Sequence, residues 1–200
     1  MFCDLRRSCG DLTIALLSRP SEVHSGVRDH ARCDSHDGPI RSRNDQRSIV
    51  AIGWHKPRTL FERYLAEQER GHRLAFVAEW RGEFAGYVTL LWVSDYPPFA
   101  DRQVPEISDL NVLPALRRQG IGNALLDRAE SAASTRSTVV GLGVGLSSDY
   151  GAAQRIYARR GYLPDGRGVM YNNQPVEPGA TICIDDDATL RFTRLLRAPS

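Results

Sequence analysis

The segment Val112-Leu-Pro-Ala-Leu-Arg-Arg-Gln-Gly-Ile-Gly-Asn123 places two arginines and two glycines where a strand pattern gives way to a helical one. Gly120 and Gly122 allow the backbone to come close to a ligand, and the N–H groups of a first helical turn have no intrahelical acceptor and carry partial positive charge. Arg117 and Arg118 add planar guanidinium forks suited to phosphate oxygens. This spacing supports capture of a phosphate or pyrophosphate, with a tight structural turn as the alternative. Other phosphate loops are absent. Lys56 is the only lysine, so no GxxxxGK[ST] loop exists. The triad Gly141-Leu-Gly-Val-Gly145 lies in an apolar run and lacks the GxGxxG spacing, which leaves packing relief or ligand approach as its use. Neither a GxSxG elbow nor an HExxH pair occurs.

The elements that must position this loop follow from periodicity. Thr59 can cap a helix over 59–70 with Phe61, Tyr64 and Leu65 on one face, stopping near Gly71. Strands are predicted over 74–80 and 83–93, joined by the hairpin signal Arg81-Gly82. A loop over 94–105 leads to a strand over 106–112, which Pro114 closes. A helix over 118–134 carries Ile121, Leu125, Ala129 and Ala132 on one face. The apolar run 137–146 reads as a strand buried on both faces. A helix over 147–160 ends at Gly161, and short strands follow at 168–171 and 189–196. Before residue 50 no period persists, and the expectation there is a strand over 12–17, a short helix near 21–31 and a flexible stretch near 33–46. Residues 1–200 are read as a single domain, with 1–50 atypical and partly flexible. Strands flanking helix crossovers predict an α/β or α+β layer with a mixed sheet.

Composition narrows the function classes. The chain has 200 residues, 42% apolar and 25% charged, enough for a packed core. Its 26 basic and 24 acidic residues leave a formal charge of +2, which supplies no broad attraction to nucleic acid. Apolar runs are far shorter than the roughly 20 residues that cross a bilayer, so no membrane span is expected. Asp4, Arg6, Arg7 and Asp11 ahead of a short apolar patch fit neither a signal peptide nor an anchor, and the cytoplasm is the expected compartment. Cys3, Cys9, Cys33 and Cys183 form no CxxC pair and no cluster with His24, His30, His36, His55 or His72, so free thiols and no metal are expected. Strand edges leave monomer and homodimer both open.

Arg117-x-x-Gly120-x-Gly122, following Glu106-Ile-Ser-Asp-Leu-Asn-Val112, resembles the [RQ]xxGx[GA] acetyl-coenzyme A signature of the GNAT superfamily of N-acetyltransferases. The run from Asp149 through Tyr157 to Gly161-Tyr162 is similar to the family's helix ending in Tyr-x-x-x-Gly-[Phe/Tyr]. The resemblance covers about residues 55–196. It implies a three-layer α/β (α+β) fold with a mixed, mostly antiparallel seven-stranded sheet, splayed between strands 4 and 5, here 107–112 and 137–146. Acetyl-CoA would sit in the gap as cosubstrate. The backbone of Leu110, Asn111 and Val112 would hold pantetheine and acetyl carbonyl, with Ala153 beside them. Arg117, Arg118, Gln119, Gly120, Ile121, Gly122 and Asn123 would hold the pyrophosphate. The implied activity is acetyl transfer to the primary amine of a small molecule by direct attack in a ternary complex.

On the same resemblance Tyr157 is the general acid toward the coenzyme A sulfur, although its helix spacing alone equally suits a core aromatic. Glu106, and after it Asp109, are the candidate bases. On a regular strand these two point to opposite faces, and a β-bulge would change that. The helix 59–70, the loop before it and the loop 94–105 would form the acceptor pocket, with Trp54, Tyr96 and Phe99 as an aromatic wall, Asp95 drawing a cation, and His55 nearby. One position departs from the family pattern, because Tyr150 stands where an asparagine is common. Two other functions are open: transfer of a larger acyl group, needing room beside 141–145, and a coenzyme A-binding regulatory or interaction module without catalysis.

Overall fold

The computed structural model describes residues 11–18 and 57–196. The helix and flexible stretch expected over 21–46, together with Trp54 and His55, lie outside them. In chain order the elements are β1 (Leu12–Leu16), α1 (Arg58–Glu69), β2 (Arg73–Trp80), β3 (Glu83–Leu91), α2 (Pro97–Ala100), β4 (Glu106–Val112), α3 (Ile121–Ala133), β5 (Val139–Gly145), α4 (Gly151–Arg159), β6 (Leu163–Tyr171), β7 (Gln174–Pro175) and β8 (Ala188–Leu195). They form one sheet ordered β1-β2-β3-β4-β5-β8-β6-β7. Seven strands match those expected, and β7 is a two-residue addition folded back on β6 through Asn172 and Asn173, both at positive φ. Neighbours pair antiparallel except β4 with β5.

Helices cover both faces, giving three layers. On one side α3 and α4 bury Ile121, Leu125, Leu126, Ala129 and Tyr157 against Phe76, Val88, Ile107, Val140 and Leu142. On the other, α1 sets Phe61 and Tyr64 against Val77, Phe84 and Tyr87. The alternation of β5 divides these layers. Val140, Leu142 and Val144 enter the α3 core, while Gly141, Gly143 and Gly145 meet the opposite layer, where any Cβ would run into Phe99, Arg191 or Tyr150. The glycine triad therefore relieves packing.

Several local expectations shift for identifiable reasons. Arg81 and Gly82, both at positive φ, make the predicted hairpin turn. Pro57, not Thr59, occupies the N-cap of α1. Helix α3 begins at Ile121 because Arg118 and Gly120 adopt left-handed φ of 66° and 86°, which keeps the preceding loop out of the helix. A 3-10 turn at Ser148–Tyr150 precedes α4, and Gly161 at φ 82° ends it as expected. Strand β6 starts at Leu163, earlier than expected, because a bulge between Pro164 and Val169 absorbs the Pro-Asp-Gly-Arg-Gly stretch that reads as loop. The 94–105 loop contains α2, whose Phe99 stacks edge-on to Tyr96 at 4.9 Å.

A buried ion network ties α4 to the rest. Glu130 of α3 accepts from Arg160 at 2.5 and 3.0 Å, from Arg194 at 2.5 Å and from Tyr162 at 3.0 Å. Burial pushes the Glu130 carboxyl up, but the hydrogen bonds and charge of Arg160, with Tyr162 and Arg194, outweigh it and leave the group below the usual carboxylate range. A depressed folded-state pKa contributes stability that is present above the unfolded value and lost as pH falls through the folded one. Glu130→Gln is therefore expected to cost about 3 kcal/mol near neutrality. The gap from wild type should narrow on acidification below about pH 4. Thermal unfolding of both proteins across that range checks it, and a gap independent of pH would remove the ion network as its cause.

Candidate active site

Strands β4 and β5 pair only at Glu106↔Gly141 and Ile107↔Leu142, with Gly141 N–H donating to Pro105 O at 2.9 Å. Beyond that point they separate. The gap opens into a cavity of about 600 Å³ lined by Leu60, Arg63 and Tyr64 of α1, residues 107–111 of β4, residues 143–145 of β5, Tyr150, Ala153, Tyr157, Asp186 and Thr189. It reaches both helical layers.

A bulge sets the chemistry of the β4 wall. The register with β3 slips between Tyr87↔Asn111 and Thr89↔Ser108, and Asp109 takes φ 53°. The extra residue alters the strand's parity, so Asp109 faces α1 even though Ile107 and Leu110 pack with the α3 core. Its Oδ2 accepts from Tyr64 and Tyr87 hydroxyls, each at 2.7 Å, and its Oδ1 from Asn111 Nδ2 at 2.7 Å. Burial first, then the charge and hydrogen bond of Asp109, drives both phenols far above their ordinary pKa, so they remain neutral donors.

Glu106 has different surroundings. It is buried at the closed end of the splay and is not part of the cavity lining. Its carboxylate accepts from Arg191 Nη1 at 2.6 Å and from Ser94 Oγ. Arg191 also bonds Asn173 and lies 4.9 Å from the Tyr96 ring centroid.

Tyr157 of α4 lines the cavity at 6% exposure. Its ring lies 5.7 Å from that of Tyr162, and no group of the described residues hydrogen-bonds its hydroxyl. Burial pushes its pKa up to about 12, so the phenol keeps its proton at neutral pH. Ala153, one turn earlier, lines the same wall with Leu110 and Asn111 across from it.

At the far end of β4, a 3-10 turn at Pro114–Leu116 leads into Arg117, Arg118, Gln119 and Gly120, all outside the cavity lining. The two left-handed residues aim this loop into the start of α3, where Ile121, Gly122 and Asn123 supply first-turn N–H groups. The Ile121 side chain is buried in the core, so only its backbone is available. Arg118 is exposed, and Arg117 Nε donates to Val112 O at 3.2 Å. Asn123 Oδ1 accepts from Arg160 at 3.3 Å.

Of the acceptor-side elements, the helix expected over 59–70 does line the cavity, through Leu60, Arg63 and Tyr64, whereas the expectations for the loop 94–105 need correction. Tyr96 and Phe99 are each 1% exposed, Phe99 lies against Gly141 with Tyr96 packed on it, and neither lines the cavity, so they form no pocket wall. Asp95 is exposed and outside the cavity lining. Tyr150, Asp186 and Thr189 line the cavity without having been anticipated there, and Tyr64 was anticipated only as part of its helix. Their partners are distant in sequence, as in the bonds Tyr64 to Asp109 and Tyr150 to Asp186, and only the departure at Tyr150 was visible beforehand. Among the described residues, no group of His, Cys, Asp and Glu is arranged to hold a metal ion, and no helix is long and apolar enough to cross a membrane.

A splayed sheet with an N–H cradle beside the gap defines the GNAT fold. Residues 42–162 match the model of the acetyltransferase (GNAT) family, and the chain belongs to that family. Among curated proteins, none matches the chain by sequence. Similar solved structures include a protein from Desulfovibrio desulfuricans assigned to the GNAT family, at TM-score 0.59 and 12% identity over 93% of this chain and 99% of that one. A chimera of spermidine N-acetyltransferase SpeG from Vibrio cholerae and hSSAT aligns at TM-score 0.57 and 16% identity, over 93% and 96%. YncA from Salmonella typhimurium, assigned as an acetyltransferase and solved with acetyl-CoA, aligns at 0.50 and 23%, over 70% and 73%. At these identities the likeness establishes a shared fold. Family and fold support acyl-CoA-dependent transfer to an amine as the general chemistry.

Proposed function

We infer that the protein acetylates the primary amine of a small molecule, using acetyl-CoA in a ternary complex. The observation that carries this reading is a gap between β4 and β5 that joins a protonated, unpartnered phenol on one layer to a carboxylate held between two tyrosines on the other. The residues fit the cosubstrate. N–H groups from Arg118 to Asn123, with Arg117 and Arg118 side chains, suit a pyrophosphate; the backbone of Leu110, Asn111 and Val112 suits pantetheine, alongside Ala153. When bound, acetyl-CoA supplies an activated thioester and a thiol leaving group.

The chain's own groups divide the proton work. Tyr157 holds a proton at its phenol oxygen and donates it toward the departing sulfur. Asp109, fixed by Tyr64, Tyr87 and Asn111, draws in the acceptor ammonium and takes up its proton directly or through water. Glu106, the other candidate base, is ion-paired to Arg191, and we assign it to holding the closed end of the splay. Leu60 and Tyr64 shield the amine from bulk water on the α1 side.

Calorimetric titration with acetyl-CoA should give saturable binding at one site per chain. An Arg118→Ala, Gly120→Ala double variant should lose it. An amine panel scored by thiol release should then reveal turnover. Folded protein that shows neither heat nor thermal stabilisation with acetyl-CoA would overturn the reading, and binding without turnover on any amine would favour a coenzyme A-binding module.

A further inference from the structure

The cavity has a second wall to which the proposed reaction gives no task. Strand β8 reaches it at Thr189, the register partner of Gly145 on β5, and the Tyr150 ring lies against that glycine so closely that no Cβ would fit. The Tyr150 hydroxyl donates to Asp186 Oδ1 at 2.7 Å, and Tyr150, Asp186 and Thr189 all line the cavity. Thr189 Oγ1 is buried with no hydrogen-bond partner among the described residues. A buried hydroxyl left unpaired at a cavity wall is costly unless something entering the cavity pairs with it.

The opposite wall carries Asp109. Burial first, then the bond and charge of Asp186, then the charge of Asp109, raises the Tyr150 phenol well above its ordinary pKa, so both carboxylates bear on this ring. Arg63 is the one cation lining the cavity among the described residues; it is largely exposed and lies 3.6 Å from Glu67. The lining therefore carries two carboxylates against one guanidinium, and the carboxylates belong to different walls.

We propose that the acceptor carries a second cationic group, and that Tyr150, Asp186 and Thr189 form the wall that binds it while Asp109 receives the amine that reacts. An ammonium has three N–H donors and no acceptor. Asp186 takes one, the otherwise unpaired Thr189 oxygen takes a second, and solvent at the exposed rim takes the third. Tyr150 positions Asp186 and gives the methylene chain a flat aromatic surface. The assignment of the reacting amine rests on the acetyltransferase reading; the binding of the distal cation does not.

The test titrates α,ω-diaminoalkanes and n-alkylamines of matching length into the full chain, first without and then with acetyl-CoA, and follows thiol release for the same series. A diamine should bind about tenfold more tightly than its monoamine, the weight of one charge-assisted hydrogen bond, and the preference should shrink with added salt. Asp186→Asn, at an exposed position, should abolish the preference by raising KM for the diamine far more than KM for the monoamine. Tyr150→Phe and Thr189→Val should each reduce it in part. Equal affinity for diamines and monoamines at every length, or an undiminished preference in Asp186→Asn, overturns the proposal even if both amines are acetylated. Asp186-dependent diamine binding without acetyl-CoA binding or turnover upholds the cation wall and sinks the acetyltransferase reading.

Discussion

Tyr157→Phe is expected to lower kcat about 100-fold or more while leaving the Kd for acetyl-CoA within about twofold. The ring is the packed part of this side chain, edge-on to Tyr162 and buried within the α3 core cluster, and phenylalanine retains it. The hydroxyl engages no described residue of the chain, so its removal leaves no protein group unsatisfied and the unfolding temperature should hold. Loss confined to kcat is the signature of an interaction made only in the transition state. The pH profile supplies a second readout. Burial sets the Tyr157 pKa at about 12, so the acid stays protonated and turnover should show no alkaline fall attributable to it below about pH 10. Single-turnover thiol release across pH, for both proteins, measures this. A variant with wild-type kcat would reduce Tyr157 to a core aromatic.

Gly122→Leu should weaken acetyl-CoA binding at least about 100-fold with the fold intact. A Cβ at Gly122 meets only Val112 Cγ2, at 3.7 Å, which is ordinary contact, so the protein itself does not require glycine there. Leucine is also a strong helix former. Its bulk would instead stand over the first-turn N–H groups that the pyrophosphate must approach. Gly120→Ala makes the opposite case. No atom lies within 4 Å of its Cβ, but φ is 86°, so the substitution costs about 1–2 kcal/mol of backbone strain. Thermal unfolding beside calorimetry separates the two: Gly122→Leu should lose binding without stability, and Gly120→Ala should lose stability with a smaller loss of binding. Undiminished affinity in Gly122→Leu would place the pyrophosphate elsewhere.

The proposed cofactor half of the candidate site was far more legible in the sequence than the proposed acceptor half. The loop 117–123 and the Tyr157–Gly161 helix end are local: their residue types, spacing and left-handed glycines act within a turn or two of chain. The acceptor half is assembled by contacts that no short pattern carries. Tyr64 and Tyr87 look like ordinary core aromatics until the bulge at Asp109 turns a carboxylate toward them. Of Tyr96 and Phe99, which resemble exposed loop aromatics beside prolines, Phe99 fills the space left by Gly141 and Tyr96 packs edge-on to it.

By itself the sequence determined the seven main strands, the helices that alternate with them, and the glycine-bracketed loop proposed as an anion cradle, because periodicity, turn residues and capping are properties of neighbours along the chain. Tertiary structure decided which carboxylate meets the cavity. One inserted residue in the β4 ladder brings Asp109 to the α1 face, and a salt bridge spanning 85 positions engages Glu106 with Arg191. A register shift and a long-range ion pair depend on how strands dock, and docking is settled by packing across the whole sheet, not by any segment of it.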